Sequence, residues 1–382
     1  MRKTLVVSIL VAFSALHSVA NADPLTTKAD YAYILDAETG SALYSKDGDV
    51  AFIPASMTKI MTTFVVFERL RDGRLSLNDE FKVSENAWRT GGAASGGSTM
   101  FLELGSNVSV ENLLKGVIIQ SGNDACIVLA EGISGSEEAF AEEMTRRAND
   151  LGLSSASFKN ATGLYHDEHR ISAADLAKLA FLTIQEFPEF YSIYNETEFT
   201  WNGIRQPNRN PLLGEVEGAD GLKTGHLEIS GYGLVGSAVR NGERRIIVLN
   251  GLDSIADRAS EARRIMRAAF LDFKTIKVSD AGNVVGQAPV WLGETSTVGL
   301  STVEPIQITL HADTIKDMRV EVVFNGPLKA PVQKGDTVGK LIISAPGTST
   351  LESPLIAANT VHKKGLFARA MVGLGLGRGL DL

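Results

Sequence analysis

The sequence predicts an α+β fold: an antiparallel sheet covered by helices, followed by a small all-β domain. Three observations carry this. From Tyr31 to about Phe273 strand-like and helix-like segments alternate, and two adjacent strands there are joined by an Asn-Gly hairpin. After about Thr275 only short β-branched runs remain, separated by Gly, Pro and Asp. At 382 residues the chain is long enough for two domains, each burying its own core.

Taken in order, residues 31–36 read as a strand, Glu38-Thr39-Gly40 as a turn and Ala42-Leu43-Tyr44 as the returning strand. Residues 57–70, 112–130, 138–151 and 173–184 are apolar at helical spacing. Strands follow at 231–239 and 244–252, joined by Arg240-Asn241-Gly242-Glu243, whose Asn-Gly pair tolerates positive φ. Residues 256–270 close the region as a helix with charge on one face. In the second domain, 306–310, 320–324 and 338–343 are the strand candidates, with no convincing helix and an end near Pro354. The expected organisation is a leader over 1–22, an α+β domain over 23–273, an all-β domain over 274–354 and a tail over 355–382.

Both ends are distinctive. Arg2 and Lys3 precede a short apolar run over 5–16, and Ala20-Asn21-Ala22 supplies small residues for cleavage. This order is that of a secretory signal, and an uncleaved anchor is the alternative. The protein is therefore expected outside the cytoplasm. In the tail, Lys363, Lys364, Arg369 and Arg378 are basic, while Leu366, Phe367, Ala370, Met371 and Leu374 recur at helical spacing. That suits a helix lying on an anionic membrane surface. Glycines at 373, 375, 377 and 379 favour a frayed tail instead.

Composition removes several classes. With 37 Lys+Arg against 45 Asp+Glu the net charge is −8, and no basic block is present in the body of the chain to neutralise phosphates, so nucleic acid is not an expected partner. A single cysteine makes no internal disulfide, and no Cys/His spacing implies a metal or a cofactor. That cysteine, Cys126, sits among apolar residues and reads as a buried, inert thiol. His166 and His169 read as loop residues without ligand spacing.

The chemistry lies in three short elements. In Pro54-Ala55-Ser56-Met57-Thr58-Lys59, residues three apart share a helix face, so the Ser56 hydroxyl and the Lys59 amine can meet. Lysine can take the serine proton only if burial or a neighbouring cation lowers its pKa. An ordinary capped helix would also carry this pattern. Ser121-Gly122-Asn123 falls at the break between two helical stretches, where Ser121 and Asn123 either face a cleft or cap the next helix. Lys223-Thr224-Gly225-His226 precedes the 231–239 strand. A strand edge there offers a cation and a hydroxyl to a carboxylate, with Gly225 leaving room for an extended peptide, and a tight exposed turn is the alternative.

All three, in this order on a chain with a leader, resemble the low-molecular-weight penicillin-binding proteins, the serine-type D-alanyl-D-alanine carboxypeptidases. The similarity extends to residues 120–126, 218–226 and Asn208-Arg209-Asn210. It implies a β-lactamase/transpeptidase-like catalytic domain, Ser56 as nucleophile, Lys59 as its base, and Ser121 and Asn123 as the second active-site element. It further implies Lys223 and Thr224 near the substrate carboxylate, the backbone N–H groups of Ser56 and His226 as an oxyanion hole, and Arg209 and Arg258 nearby. For the two arginines, pairing with acids such as Glu261 is the structural alternative. The implied partners are the peptidoglycan stem peptide, β-lactams as covalent inhibitors, and the membrane through the tail. Around 165–169 the chain departs from the family pattern, and one wall of the cleft is expected to be reshaped there. A cross-link-cutting DD-endopeptidase and a non-catalytic wall-binding scaffold are the other readings. A class A β-lactamase fits poorly, since no Glu-x-x-Leu-Asn segment is present.

Overall fold

The computed structural model describes residues 5–8 and 25–366, except 347 and 349. Two compact units divide the chain at Asp272 and Phe273.

In the unit Leu25–Asp272, the strands Ala219–Leu227, Gly231–Arg240, Glu243–Leu252, Tyr31–Asp36 and Ala42–Lys46 form a five-stranded sheet in that spatial order. Every neighbouring pair is antiparallel, with Val248 opposite Tyr33 where the N-terminal hairpin joins the C-terminal meander. The expected strands and the Asn-Gly hairpin are present, because Asn241 and Gly242 both take the positive φ that this turn demands. Alternation sorts the side chains: Ile246 and Val248 join the core that holds Phe64, while Ile247 and Leu249 are buried on the other face. Both faces are thus covered, with Ala173–Glu186 and Ile255–Leu271 each packed on the Glu243–Leu252 strand.

Helix starts follow from local chemistry. Ser109, Ser136, Ser172 and Ser254 each accept a backbone N–H two or three residues into Val110–Ile118, Glu137–Asp150, Ala173–Glu186 and Ile255–Leu271. The break expected at Ser121-Gly122-Asn123 within the apolar stretch 112–130 is present: Val110–Ile118 and Asn123–Ser134 are separate helices, split by Ser121, whose φ of 60° no helix accommodates. Lys59–Arg71 is the central helix, buried continuously from Lys59 to Glu68, and it is entered through a 3-10 turn over Ala55–Thr58.

The unit from Phe273 is all β, apart from a 3-10 turn at Ala312–Asp317. Its main sheet runs Arg319–Phe324, Thr337–Ser344, Leu351–Ala357, Thr297–Thr302, Val284–Trp291, and Phe273–Ser279 pairs separately with Ile306–His311. Leu300, Leu310, Phe324, Leu341 and Leu355 sit in its core. The expected end at Pro354 is corrected: Leu351–Ala357 runs through that proline, and Val361 still bridges to Val332. A proline is tolerated there in a strand position where sequence pattern alone reads a stop. Of the expected leader, Leu5–Ser8 pairs antiparallel with Arg319–Phe324. The rest of 1–22 and residues 367–382 of the tail lie outside the described residues.

Candidate active site

The 3-10 turn places Ser56 at the mouth of the central helix. Ala55 before it has φ 50°, a strained conformation for a residue with a side chain. Neither Pro54 nor Thr58 makes a side-chain cap, so the serine pattern is not an ordinary capping motif. Lys59 Nζ lies 3.0 Å from Ser56 Oγ, 2.8 Å from Asn123 Oδ1 and 2.6 Å from the Thr162 carbonyl oxygen. In its neutral form the amine can give its two hydrogens to the two carbonyl oxygens and turn its lone pair to the serine O–H. Burial, the largest effect, lowers the Lys59 pKa below its ordinary 10.5; Cys126 opposes it and Arg209 reinforces it.

Asn123 is fixed by its neighbours. Its N–H donates to the Ser98 carbonyl at 2.8 Å, and the buried Asp124 carboxylate accepts from Thr99 Oγ1 at 2.6 Å and from the Met100 and Leu102 N–H groups. Gly122 makes no side-chain cap, and Ser121 and Asn123 are 2% and 5% exposed. The capping alternative is therefore absent. Ser121, Asn123, Lys59 and Ser56 come from two helix starts turned toward each other.

Lys223 and Thr224 lie inside the edge strand Ala219–Leu227 and are buried, which removes the exposed-turn alternative. Gly225 has a reason other than the one its sequence suggests. A Cβ there would sit 2.7 Å from the Pro54 carbonyl oxygen, so the glycine lets the strand close on the turn that carries Ser56. Burial holds the Lys223 pKa well below its ordinary value, with Lys59, Arg209 and Arg258 pushing the same way against Cys126.

Arg209 donates to Ser98 Oγ at 2.6 Å and lines a cleft of about 420 Å³ together with Ser56, Asn123, Thr162, Leu164 and His226. Arg258 is 7% exposed; its Nη1 is 3.5 Å from the Gly225 carbonyl oxygen and its guanidinium lies 5.6 Å from the Tyr232 ring centre. Neither arginine pairs with Glu261, which is taken by Arg264, Thr27 and the Lys28 N–H. His226 is exposed and stacks on Tyr232 at 3.8 Å. Among the described residues, Lys59, Lys223, Arg209 and Arg258 have no carboxylate within ion-pair distance, and no cluster suited to a metal is present. Cys126 is fully buried and its thiol is pushed up to about 12 by burial. Sequence reasoning missed the Thr162 carbonyl, a backbone group that no pattern marks; His169 lies in a loop as expected, and it is fully buried there.

An antiparallel sheet with helices, followed by an all-β unit, and a cleft joining a serine, a buried lysine and a cationic strand edge, define a serine acyl-transfer enzyme of the penicillin-recognising class. Comparison with known proteins agrees. Residues 17–253 match the family described as D-alanyl-D-alanine carboxypeptidase, and residues 273–363 match the penicillin-binding protein 5 C-terminal domain. The D-alanyl-D-alanine carboxypeptidases DacC and DacA of Escherichia coli K12 are 38% and 34% identical, covering 88% and 93% of this chain and 85% and 92% of their own. A crystal structure of penicillin binding protein 5 from Haemophilus influenzae superposes with a TM-score of 0.75 at 33% identity, over 90% of this chain and all of that one. The chain belongs to the serine-type D-alanyl-D-alanine carboxypeptidase family.

Proposed function

We propose that Ser56 is the nucleophile with which this carboxypeptidase removes the terminal D-alanine of peptidoglycan stem pentapeptides, and that β-lactams acylate the same oxygen. The observation that carries the reading is the buried Lys59 amine, 3.0 Å from Ser56 Oγ, with the Asn123 and Thr162 carbonyl oxygens at 2.8 and 2.6 Å to take its hydrogens. In the forward step the Ser56 proton passes to Lys59 Nζ as Oγ attacks the carbonyl carbon between the last two residues. The N–H groups of Ser56 and His226 receive the oxyanion, a contribution of about 10²–10³ in rate for one donor. Collapse breaks the C–N bond, and the leaving amine takes a proton from Lys59 or from Ser121 beside it. Water then attacks the ester, returning a proton to Ser56 Oγ and releasing the shortened peptide. Lys223, Thr224, Arg209 and Arg258 hold the terminal carboxylate of the substrate, which explains three cations without a carboxylate partner among the described residues of a chain of net charge −8.

Export and attachment complete the reading: residues 1–22 direct secretion, and the basic, apolar tail holds the enzyme peripherally at the periplasmic face of the cytoplasmic membrane. Among the described residues no helix is long and apolar enough to cross a membrane. Deletion of 361–382 is expected to release the enzyme from membranes.

The decisive test is a fluorescent penicillin with the purified mature protein. Covalent label on wild type and none on Ser56→Ala is expected, together with D-alanine release from a pentapeptide. Equal labelling of both proteins overturns the assignment.

A further inference from the structure

We propose that His169 is a positioning residue for acyl transfer: its imidazole ties the backbone stretch that seats the Lys59 amine to the helical turn that carries Ser56. This rests on the reading of Ser56 and Lys59 as nucleophile and base.

The ring is held from both nitrogens. The Lys159 N–H donates to Nδ1 at 3.2 Å, so Nδ1 carries the lone pair and the hydrogen sits on Nε2. Nε2 is 2.8 Å from Thr58 Oγ1, to which it donates. His169 and Thr58 are both fully buried, and Phe158 packs edge-on to the imidazole at 5.5 Å. Thr58 immediately precedes Lys59 in the turn.

On the other side of the ring the chain runs from Lys159 to the group that matters. Asn160 Oδ1 accepts the N–H groups of Thr162 and Gly163 at 3.2 and 2.7 Å, and this local turn aims the Thr162 carbonyl at Lys59 Nζ, 2.6 Å away. Gly163, at φ 81°, sits so close to the Ala55 carbonyl that a Cβ would lie 1.9 Å from that oxygen. Thr62 Oγ1 adds a second tie, to the Ala161 carbonyl at 2.7 Å. His169 therefore joins the two backbones whose separation sets the Thr162–Lys59 distance. Apart from Lys59 itself, which bonds both the Thr162 carbonyl and Ser56 Oγ, no other side chain joins the 158–163 stretch to the Ser56 turn among the described hydrogen bonds.

Two consequences follow for protonation. Burial is the chief cause that lowers the imidazole pKa to about 4, and His166, Lys159 and Lys59 around it push the same way. Around Lys59 stand Cys126, Arg209, Glu137 and Asp124, and Lys223 lies close enough to be felt. A carbonyl at hydrogen-bond distance favours the charged amine, so a loosened Thr162 lowers the Lys59 pKa further while leaving the amine less well aimed.

The experiment measures acylation by a fluorescent penicillin and D-alanine release across pH, on the full mature chain. Wild type is compared with His169→Gln, Thr58→Val and Thr58→Ser. The expected result for His169→Gln and Thr58→Val is a fall in acylation rate of roughly ten- to a hundredfold with KM little changed, and an acid limb moved to lower pH. Thr58→Ser, which keeps the hydroxyl, restores rate and profile. A residue that merely stabilised the fold would lower the melting temperature without moving the limb. Thr58→Val is nearly isosteric and decides the matter if His169→Gln does not fold. A Thr58→Val protein with wild-type rate and pH profile overturns the inference alone. A wild type that is not acylated at Ser56 overturns the functional reading and the inference with it.

Discussion

Four basic side chains, one of them the Lys59 amine, and no carboxylate at ion-pair distance from them among the described residues make a cleft suited to an anion. Lys223 is the clearest of them: buried, its amine near only the Thr224 carbonyl at 3.4 Å, with burial lowering its pKa and Lys59 adding to it. A substrate carboxylate would supply the missing partner and favour the charged amine. Lys223→Gln is accordingly expected to cost about 1.5–3 kcal/mol of substrate interaction. The checking measurement is kcat/KM for a pentapeptide and for the same peptide ending in an amide: the acid should lose roughly ten- to a hundredfold, and the amide little. Lys59 gives a pH prediction of definite sign. Its pKa is lowered by burial, and the proposed mechanism uses the free amine, so acylation should rise with pH through a value below the ordinary 10.5 and fall as acid protonates it. Stopped-flow acylation by a penicillin, followed against pH, checks this; a limb at or above 10.5 would contradict it.

At the scale of elements, the strands and helices that hold these residues were readable because their signals are local: alternation over 31–36, an Asn-Gly turn, apolar spacing at 3.6. The three chemical motifs were readable for the same reason. What escaped was set by distant chain. Gly225 answers to Pro54, and His169 is buried where Thr58 and Phe158 close on it. Pro354 looked like an end because a proline removes a ladder donor, yet its neighbours pair on with Thr337–Ser344. The sheet has one long-range tie of this kind that no pattern announces. Arg245 Nη1 donates to Asp36 Oδ1 at 2.8 Å, with side chains 1% and 0% exposed, and joins the N-terminal hairpin to the meander. Asp36→Ala would leave a buried guanidinium with the half-exposed Glu243 as its one carboxylate partner among the described residues, besides the Ala269 and Arg244 carbonyls. A loss of about 3 kcal/mol is expected, read as a lower urea midpoint at unchanged slope.

For the whole molecule, the two units own separate cores. The buried cluster around Phe64, Phe67 and Val248 lies within Leu25–Asp272, and the cluster around Leu300, Phe324 and Leu341 lies beyond Phe273. The Ser56, Ser121 and Lys223 elements, the Thr162 carbonyl and all four cations fall in the first unit. A unit of that size buries enough apolar surface to fold without help. Its last helix, Ile255–Leu271, starts at a Ser254 cap and packs on the sheet through Ala262, Ile265 and Met266, so a chain ending at Asp272 keeps every element intact. Residues 25–272 expressed alone should therefore fold and be acylated by a penicillin at a rate within a few-fold of the full chain. If that fragment folds by circular dichroism but is acylated a hundredfold more slowly, the cleft depends on the β unit. The catalytic geometry would then be a property of the whole chain and not of its first 272 residues.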